Sequence, residues 1–545
     1  MAESGYLQSA GTIVSGGYSL SATLIRPQGP TRLAVLFLPP LFEERKGTLP
    51  LLVQSARSWA ELGIASLIFD YAGCGDSEGE FADIDPGQFL DDADAALRWL
   101  RGKAPVPVAL VGVRVGCCLA APLAARQPGV VAAAVFWAPV GGDLLLRQLF
   151  QRRMVNDMVA YGKARESRKD LTERLTVGGA AVDLDGYMLS AAVYGWLTKQ
   201  TIESPKGVSV LVARGSSEAY TPPRKANDAS QLELRFPPFW NTVGHVELGA
   251  LVAATGEWLE GFSGTRIYEL PEFGASDVCH SLPVRGKTLR MAVDRPSGPP
   301  KRGLLLLHGW SGDRTGPHRM FVRFARLRAA EGTLCVRPDF IGRGLSDGES
   351  SDATIADMAE DSGAALEWMK AQLPEGVPLE VLAICSGCKV AISLAVSHPE
   401  VARLWLWSAE SMGSLRHAAT GLRKTLQALK TYAGKALRPE TWRKLLKGKV
   451  NTGLVTKALV KHETRSPEEA RREDATLAEF RKFRNPVCFV FGGSDPDTKG
   501  SSEAYSRFCR KNGIPFTLNI VPNSGHSYYG EEWTQQLFSF TSEEA

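Results

Sequence analysis

Short apolar runs alternate with longer amphipathic stretches along this chain, and the whole alternation occurs twice. Leu33 to Leu38 leads to Pro39-Pro40, and the four leucines Leu304 to Leu307 lead to His308-Gly309. Runs apolar at every position, rather than at every second one, predict strands buried on both faces. A helix-period stretch follows each, Leu51 to Leu62 and Phe321 to Ala330, and then another short apolar strand. That strand ends in Asp70-Tyr71-Ala72-Gly73-Cys74-Gly75-Asp76-Ser77 in the first half and Asp339-Phe340-Ile341-Gly342-Arg343-Gly344-Leu345-Ser346 in the second. A further amphipathic helix, Phe89 to Leu100 or Met358 to Ala371, brings each half to a strand-to-helix junction. Strands alternating with helices at this spacing predict an α/β fold with a mostly parallel sheet covered on both faces.

Two such sheets account for 545 residues, too many for one ordinary core. The boundary is expected near Phe262 to Gly274, giving units 1–265 and 266–545. Each unit carries a helix-rich insertion of cap type, about Gly142 to Gln200 in the first and Ser414 to Phe483 in the second. The content of 44% hydrophobic and 22% charged residues is that of a globular protein. No apolar run is long enough to predict a membrane span, and Met1 to Gly16 lacks a signal-peptide pattern. Nine cysteines, an odd number scattered from Cys74 to Cys509, predict neither a disulfide framework nor a zinc motif, and suggest a reducing cytoplasm. A net charge of +4 gives no argument for nucleic acid.

The junctions are where chemistry is expected. Ala383-Ile384-Cys385-Ser386-Gly387 matches the nucleophile elbow G-x-S-x-G with Cys at the apex, a sharp turn that lifts one side chain out and aims the next backbone N–H at the same point. Ser386 is the alternative nucleophile, but the elbow presents only its central residue. Downstream come Gly492-Gly493-Ser494-Asp495 after an apolar strand and Gly525-His526 near the end. This is the order nucleophile, acid, base. His526 would take the proton of Cys385, Asp495 (or Asp497) would orient the imidazole, and the backbone N–H groups of Ser386 and Trp310 would receive the oxyanion. A thiolate, favoured by the helix N-terminus and by His526, suits thioesters and activated esters. Cys388, Cys488 and Cys509 read as packing residues.

The equivalent apex in the first half, Gly112-Val113-Arg114-Val115-Gly116, carries a guanidinium that offers no nucleophile. This half is expected to be catalytically silent. Glu218 stands where its acid would be and His245 where its base would be. Arg114 is therefore expected either to grip an anionic ligand or to pair internally, with Glu218 as the candidate partner; Cys117 and Cys118 read as core.

The D-x-x-G-x-G-x-S turns, the elbows and the caps resemble α/β-hydrolases, and implied by that resemblance is a pair of tandem α/β-hydrolase domains. More narrowly, the halves resemble the two hydrolases associated with the exosortase A system of bacterial exopolysaccharide gene clusters. The first is similar to the type 2 hydrolase through Pro39 to Lys46, Asp70 to Ser77, the Arg-bearing elbow, and cap segments Leu145 to Met158 and Gly186 to Ser190. The second is similar to the type 1 hydrolase through Arg314 to Arg319, Ile384 to Cys388 and Arg438 to Leu446. His308-Gly309-Trp310 and Ala383 depart from that family's glycines. The resemblance implies hydrolysis or transfer of an acyl group in a setting of acyl-carrier and ligase genes. No metal or redox cofactor is implied.

The second cap is strongly basic, with Arg416, Arg423, Lys424, Lys430, Lys435, Arg438, Arg443, Lys444, Lys447 and Lys449 interleaved with leucines and Trp442. It reads as a solvated amphipathic face, or as a dock for an acyl carrier protein or a CoA-bound thioester. The sequence thus points to an acyl hydrolase or acyltransferase working through Cys385, His526 and Asp495. The alternatives are a lactonase like the dienelactone hydrolases, in which Cys elbows also occur, and a non-catalytic scaffold.

Overall fold

The computed structural model describes residues 5–103, 105–215, 230–234, 236–242, 246–274, 278–349, 353–416 and 467–542. The first half supplies β1 (Tyr6–Ser15), β2 (Tyr18–Pro27), β3 (Leu33–Leu38), β4 (Ile64–Phe69), β5 (Val108–Val113) and β6 (Val131–Trp137). Its insertion holds a separate hairpin, β7 (Val182–Leu184) and β8 (Tyr187–Leu189), before β9 (Ser209–Gly215) and β10 (Ser230–Leu234) complete the sheet. The second half supplies β11 (Cys279–Val284), β12 (Lys287–Asp294), β13 (Arg302–Leu307), β14 (Thr333–Asp339), β15 (Leu379–Ile384), β16 (Val401–Trp407), β17 (Val487–Gly492) and β18 (Phe516–Val521).

The two sheets have one topology, β1-β2-β4-β3-β5-β6-β9-β10 and β11-β12-β14-β13-β15-β16-β17-β18. Only the opening hairpin and its pairing to the next strand are antiparallel. This is the α/β-hydrolase plan, built twice. Strands β3, β4, β5 and β15 are buried at every position, including Ser66 of β4 and Glu380 of β15. Register sets the elbow: Leu307 of β13 lies beside Ala383 of β15, so the loop after β13 rises next to Cys385.

The helix expected over Leu51 to Leu62 runs instead over Glu44–Ala60. Its first turn buries Glu44, Arg45 and Thr48, polar residues that interrupt the apolar period. The first insertion folds as helices Gly142–Tyr161, Arg168–Thr176 and Ala191–Leu197 around β7 and β8, seated on the core through Leu145, Leu146, Leu149 and Phe150. Of the second insertion, helix Pro467–Phe480 is described; residues 417–466, and with them the basic positions Arg423 to Lys449, lie outside the described residues.

The halves meet through reciprocal contacts. Arg57 donates to the carbonyls of Leu345 and Ser346 at 3.0 and 2.9 Å, and its counterpart Arg326 donates to those of Asp76 and Ser77 at 2.8 and 3.1 Å. Arg45 bridges its own Asp70 at 2.8 Å and Asp313 of the other half at 3.3 Å. Its counterpart Arg314 bridges its own Asp339 at 3.6 Å and Asp76 at 2.7 Å. Each half thus offers the same patch to the other, the pattern of a two-fold interface joined into one chain. Burial opposes the charge on Asp76, yet Arg314 and Arg337 hold its carboxyl well below the usual carboxylate range.

Candidate active site

β15 ends at Ile384 and helix Gly387–Ser397 starts three residues on, so the chain must reverse within Cys385 and Ser386. Cys385 meets this with φ 60°, a left-handed conformation that costs a non-glycine residue about 1–3 kcal/mol and is held by its surroundings. Gly387 permits the reversal, because a Cβ there would lie 2.5 Å from the carbonyl oxygen of His308. Gly309 brings the next loop against the nucleophile: its Cβ would sit 3.2 Å from that of Cys385.

His526 lies in the loop between β18 and helix Glu531–Ser539, and its Nδ1 is 2.8 Å from Asp495 Oδ2. The acid and base loops are joined through their backbones, with Ser494 N–H donating to Ser524 O and Gly493 N–H to Val521 O, both at 2.8 Å. Asp497, the fallback acid, is exposed and donates its N–H to Asp495. With Nδ1 on Asp495, the other ring nitrogen serves Cys385. Burial works against the imidazolium, but Asp495 and the Cys385 sulfur outweigh it and push His526 up to about 10.

A fourth side chain enters the site. Cys385 Sγ lies 3.3 Å from Glu410 Oε1, on the loop after β16, and Glu410 Oε2 lies 2.9 Å from Lys389 Nζ. Burial opposes the Glu410 charge, but Lys389 and the Cys385 S–H hold its carboxyl at about 2. The sulfur therefore sits between an imidazole that can take its proton and a carboxylate that accepts a hydrogen bond from it. Glu410 escaped the sequence reading. Its signal was Lys389, a cation fully buried in the otherwise apolar turn Cys388-Lys389-Val390-Ala391, which requires an anionic partner from elsewhere. Cys385, Glu410 and His526 also place a sulfur, a carboxylate oxygen and a ring nitrogen within 4.8 Å of one another, a donor set that suits zinc.

Of the two amides expected to receive an oxyanion, that of Trp310 donates to Ser386 Oγ at 2.8 Å. The Ser386 hydroxyl is thus tied to the loop after β13. Cys388, Cys488 and Cys509 are buried in the core, with their thiols pushed up by burial. A cavity of about 560 Å³ between the halves is lined by Lys46, Arg57, Trp310, Asp313 and Arg343 and includes none of the triad residues.

The first half forms the same elbow, with Arg114 at φ 55°. The guanidinium is buried and bonded throughout: to Glu44 at 3.1 and 3.2 Å, to Gln148 Oε1 at 2.6 Å and to the Ala138 carbonyl at 3.4 Å. It also lies 4.1 Å over the Trp240 ring. Among the described residues the internal carboxylate partner is Glu44, at the start of helix Glu44–Ala60. Glu218 and His245 lie outside the described residues. Cys117 and Cys118 are core residues.

Residues 304–539 match the family model described as alpha/beta hydrolase family, and residues 50–163 match that of serine aminopeptidase, S33. No curated protein matches the chain. Among solved structures, Est1E from Butyrivibrio proteoclasticus with ferulic acid bound is similar at 18% identity over 48% of this chain and 97% of that one, with a TM-score of 0.35. An alpha-beta serine hydrolase homologue from Coxiella burnetii is similar at 14% identity over 50% and 100%, TM-score 0.33. The thioesterase domain from the curacin biosynthetic pathway is similar at 14% identity over 48% and 98%, TM-score 0.32. With two sheets of one topology, two elbows and a family-model match in each half, the chain has the α/β-hydrolase fold twice in tandem.

Proposed function

We propose that the second domain is an acyl hydrolase or acyltransferase that uses Cys385 as nucleophile, His526 as base and Asp495 as its orienting acid, and that the first domain is a pseudo-hydrolase. The observation that carries this reading is the convergence on one elbow sulfur of an imidazole whose far nitrogen is held 2.8 Å from a carboxylate. In the first step His526 takes the thiol proton and the sulfur attacks the acyl carbon, forming a C–S bond and an oxyanion beside Trp310 and Ser386. Collapse of that intermediate breaks the bond to the leaving alcohol or thiol, which takes the proton back from His526. Water or a second nucleophile, deprotonated by the same imidazole, then releases the acyl group.

A sulfur nucleophile favours ester and thioester substrates over amides. The resemblance to the exosortase-associated hydrolases favours an acyl group delivered on a carrier protein or on CoA. The silent first domain rests on Arg114, which occupies the nucleophile position with its donors directed to Glu44, Gln148 and Ala138.

The test is intact-mass analysis after incubation with a panel of acyl thioesters and short p-nitrophenyl esters, comparing wild type with Cys385→Ala. A covalent acyl adduct or turnover present in wild type and lost in Cys385→Ala is the expected result. Turnover that survives Cys385→Ala removes the assignment.

A further inference from the structure

The base loop of the second domain is held by the first. Tyr529, three residues after His526, donates its hydroxyl to Glu43 Oε1 at 3.1 Å, and Glu43 Oε2 accepts the His318 backbone N–H at 2.9 Å. At the next turn Glu531 N–H, at the start of the last helix, donates to Asp183 Oδ2 of β7 at 2.7 Å. Trp533 stacks on Tyr161 of the first domain's cap helix with ring centres 6.2 Å apart. The acid loop is touched as well: Ser494 Oγ, beside Asp495, lies 3.5 Å from the carbonyl of Ala160. His318 and Arg319 take φ values of 36° and 66°, consecutive left-handed residues that only a packed surround sustains. That surround belongs to the first domain: Gly186 leaves room for the His318 ring, and Arg319 donates to the carbonyls of Gly75, Ser77 and Gly79.

These contacts depart from the reciprocity of Arg57 and Arg326. The position equivalent to Glu43 in the second domain is Gly312, which has no side chain to reach across. The position equivalent to Tyr529 in the first domain is Leu248, which has no donor. The grip runs one way, from the domain with Arg114 at its elbow to the domain with Cys385.

We infer that the first domain is a working part of the second domain's active site, with Glu43 and Tyr529 as positioning residues that fix the His526 loop against Cys385. The inference rests on the Cys385–His526 reading. Neither residue touches the reacting atoms; each acts through the loop. Positioning of a base to within a fraction of an ångström governs turnover more than substrate binding.

The experiment uses the full chain with Glu43→Ala, Tyr529→Phe and the conservative Glu43→Gln, plus Arg57→Ala as an interface variant away from the base loop. Three quantities are read: kcat and KM on the best ester from the panel, the pH profile of iodoacetamide alkylation at Cys385 by peptide mass, and the melting temperature. Glu43→Ala and Tyr529→Phe are expected to lower kcat about tenfold with KM little changed, and to shift the alkylation profile upward in pH. Glu43→Gln, which keeps an acceptor for His318, recovers part of the loss. Arg57→Ala lowers the melting temperature and leaves the profile in place. If the clamp variants lose melting temperature but keep wild-type kcat and alkylation profile, the contacts serve only to join the domains and the inference falls. If wild-type Cys385 is alkylated no faster than the other cysteines at any pH, the Cys–His reading fails first and the inference goes with it.

Discussion

Arg114→Ala separates a structural arginine from a ligand-binding one. The substitution leaves Glu44, a carboxylate only 3% exposed, without the guanidinium that is hydrogen-bonded to it. Removing one partner of a buried ion pair costs about 3–5 kcal/mol, because the remaining charge stays desolvated. The lost stacking on Trp240 falls within that range rather than adding to it, since the same side chain makes both contacts. For a unit of this size about 2–4 °C accompanies each kcal/mol, so the first domain's transition should fall by on the order of 10 °C. Replacing the pair together, as Arg114→Met with Glu44→Met, removes both charges and should recover most of that loss, since an apolar pair of similar volume is often neutral. The assay is differential scanning calorimetry of the full chain, with Cys385-dependent turnover measured on the same samples below the transition. Turnover should persist in the double variant. A fall of less than about 1 kcal/mol in Arg114→Ala, or abolished turnover in a double variant of unchanged stability, would refute the reasoning and return Arg114 to a ligand site.

The other expectations concern the second elbow. Glu410→Gln removes a negative charge beside the sulfur and should speed alkylation of Cys385 at neutral pH about tenfold; a slower rate would make Glu410 an assisting base. Its stability loss should stay below the ~3–5 kcal/mol of a fully broken buried pair, because Glu473 remains 3.7 Å from Lys389, as chemical denaturation can check. Micromolar Zn²⁺ should protect Cys385 from alkylation, with reversal by EDTA and weaker protection in Glu410→Gln, since three donors already converge there. His526 sits above its ordinary value of about 6.5, so its pairing stabilises the fold fully below that pH and is lost as pH rises through about 10. The stability gap between wild type and His526→Gln should accordingly be largest near pH 6 and close by pH 10; a gap that widened with pH would reverse the sign of the argument.

What could be read from the sequence was whatever the backbone alone decides. β3 and β5 announce themselves because both faces are covered and every residue is apolar, and β13 through its four consecutive leucines. Cys385 and Asp495 are legible because each follows or precedes a glycine the fold requires, Gly387 and Gly492, and His526 because it completes the order nucleophile, acid, base. The opening hairpins β1–β2 and β11–β12 were not legible, since they lie at the sheet edge and mix serine, threonine and charge with their apolar positions. Glu410 and Glu44 were missed for a different reason. Each is an ordinary surface-type residue until the fold sets it against a buried cation, Lys389 or Arg114, that is distant in sequence. A buried cation can be suspected from its apolar neighbours; the identity of its partner is settled only by tertiary placement.

The departures from two-fold reciprocity are correlated, and this bears on what the first domain contributes to the second. At the turn carbonyls each half makes the contact the other makes, Arg57 with Arg326, and Arg45 and Arg314 each reach an acidic residue of the other half. The symmetry fails at Arg114 against Cys385, at Glu43 against Gly312 and at Leu248 against Tyr529. All three lie on the loops that would build an active site. In the first half the nucleophile position is filled by a cation that Glu44 anchors, and Glu43, the next residue back, points the other way to hold the partner's base loop. One short segment thus closes one site and braces the other. A second domain released from the first would keep its elbow, its acid and its base, but the loop carrying His526 would lose Glu43, Asp183 and Tyr161 together.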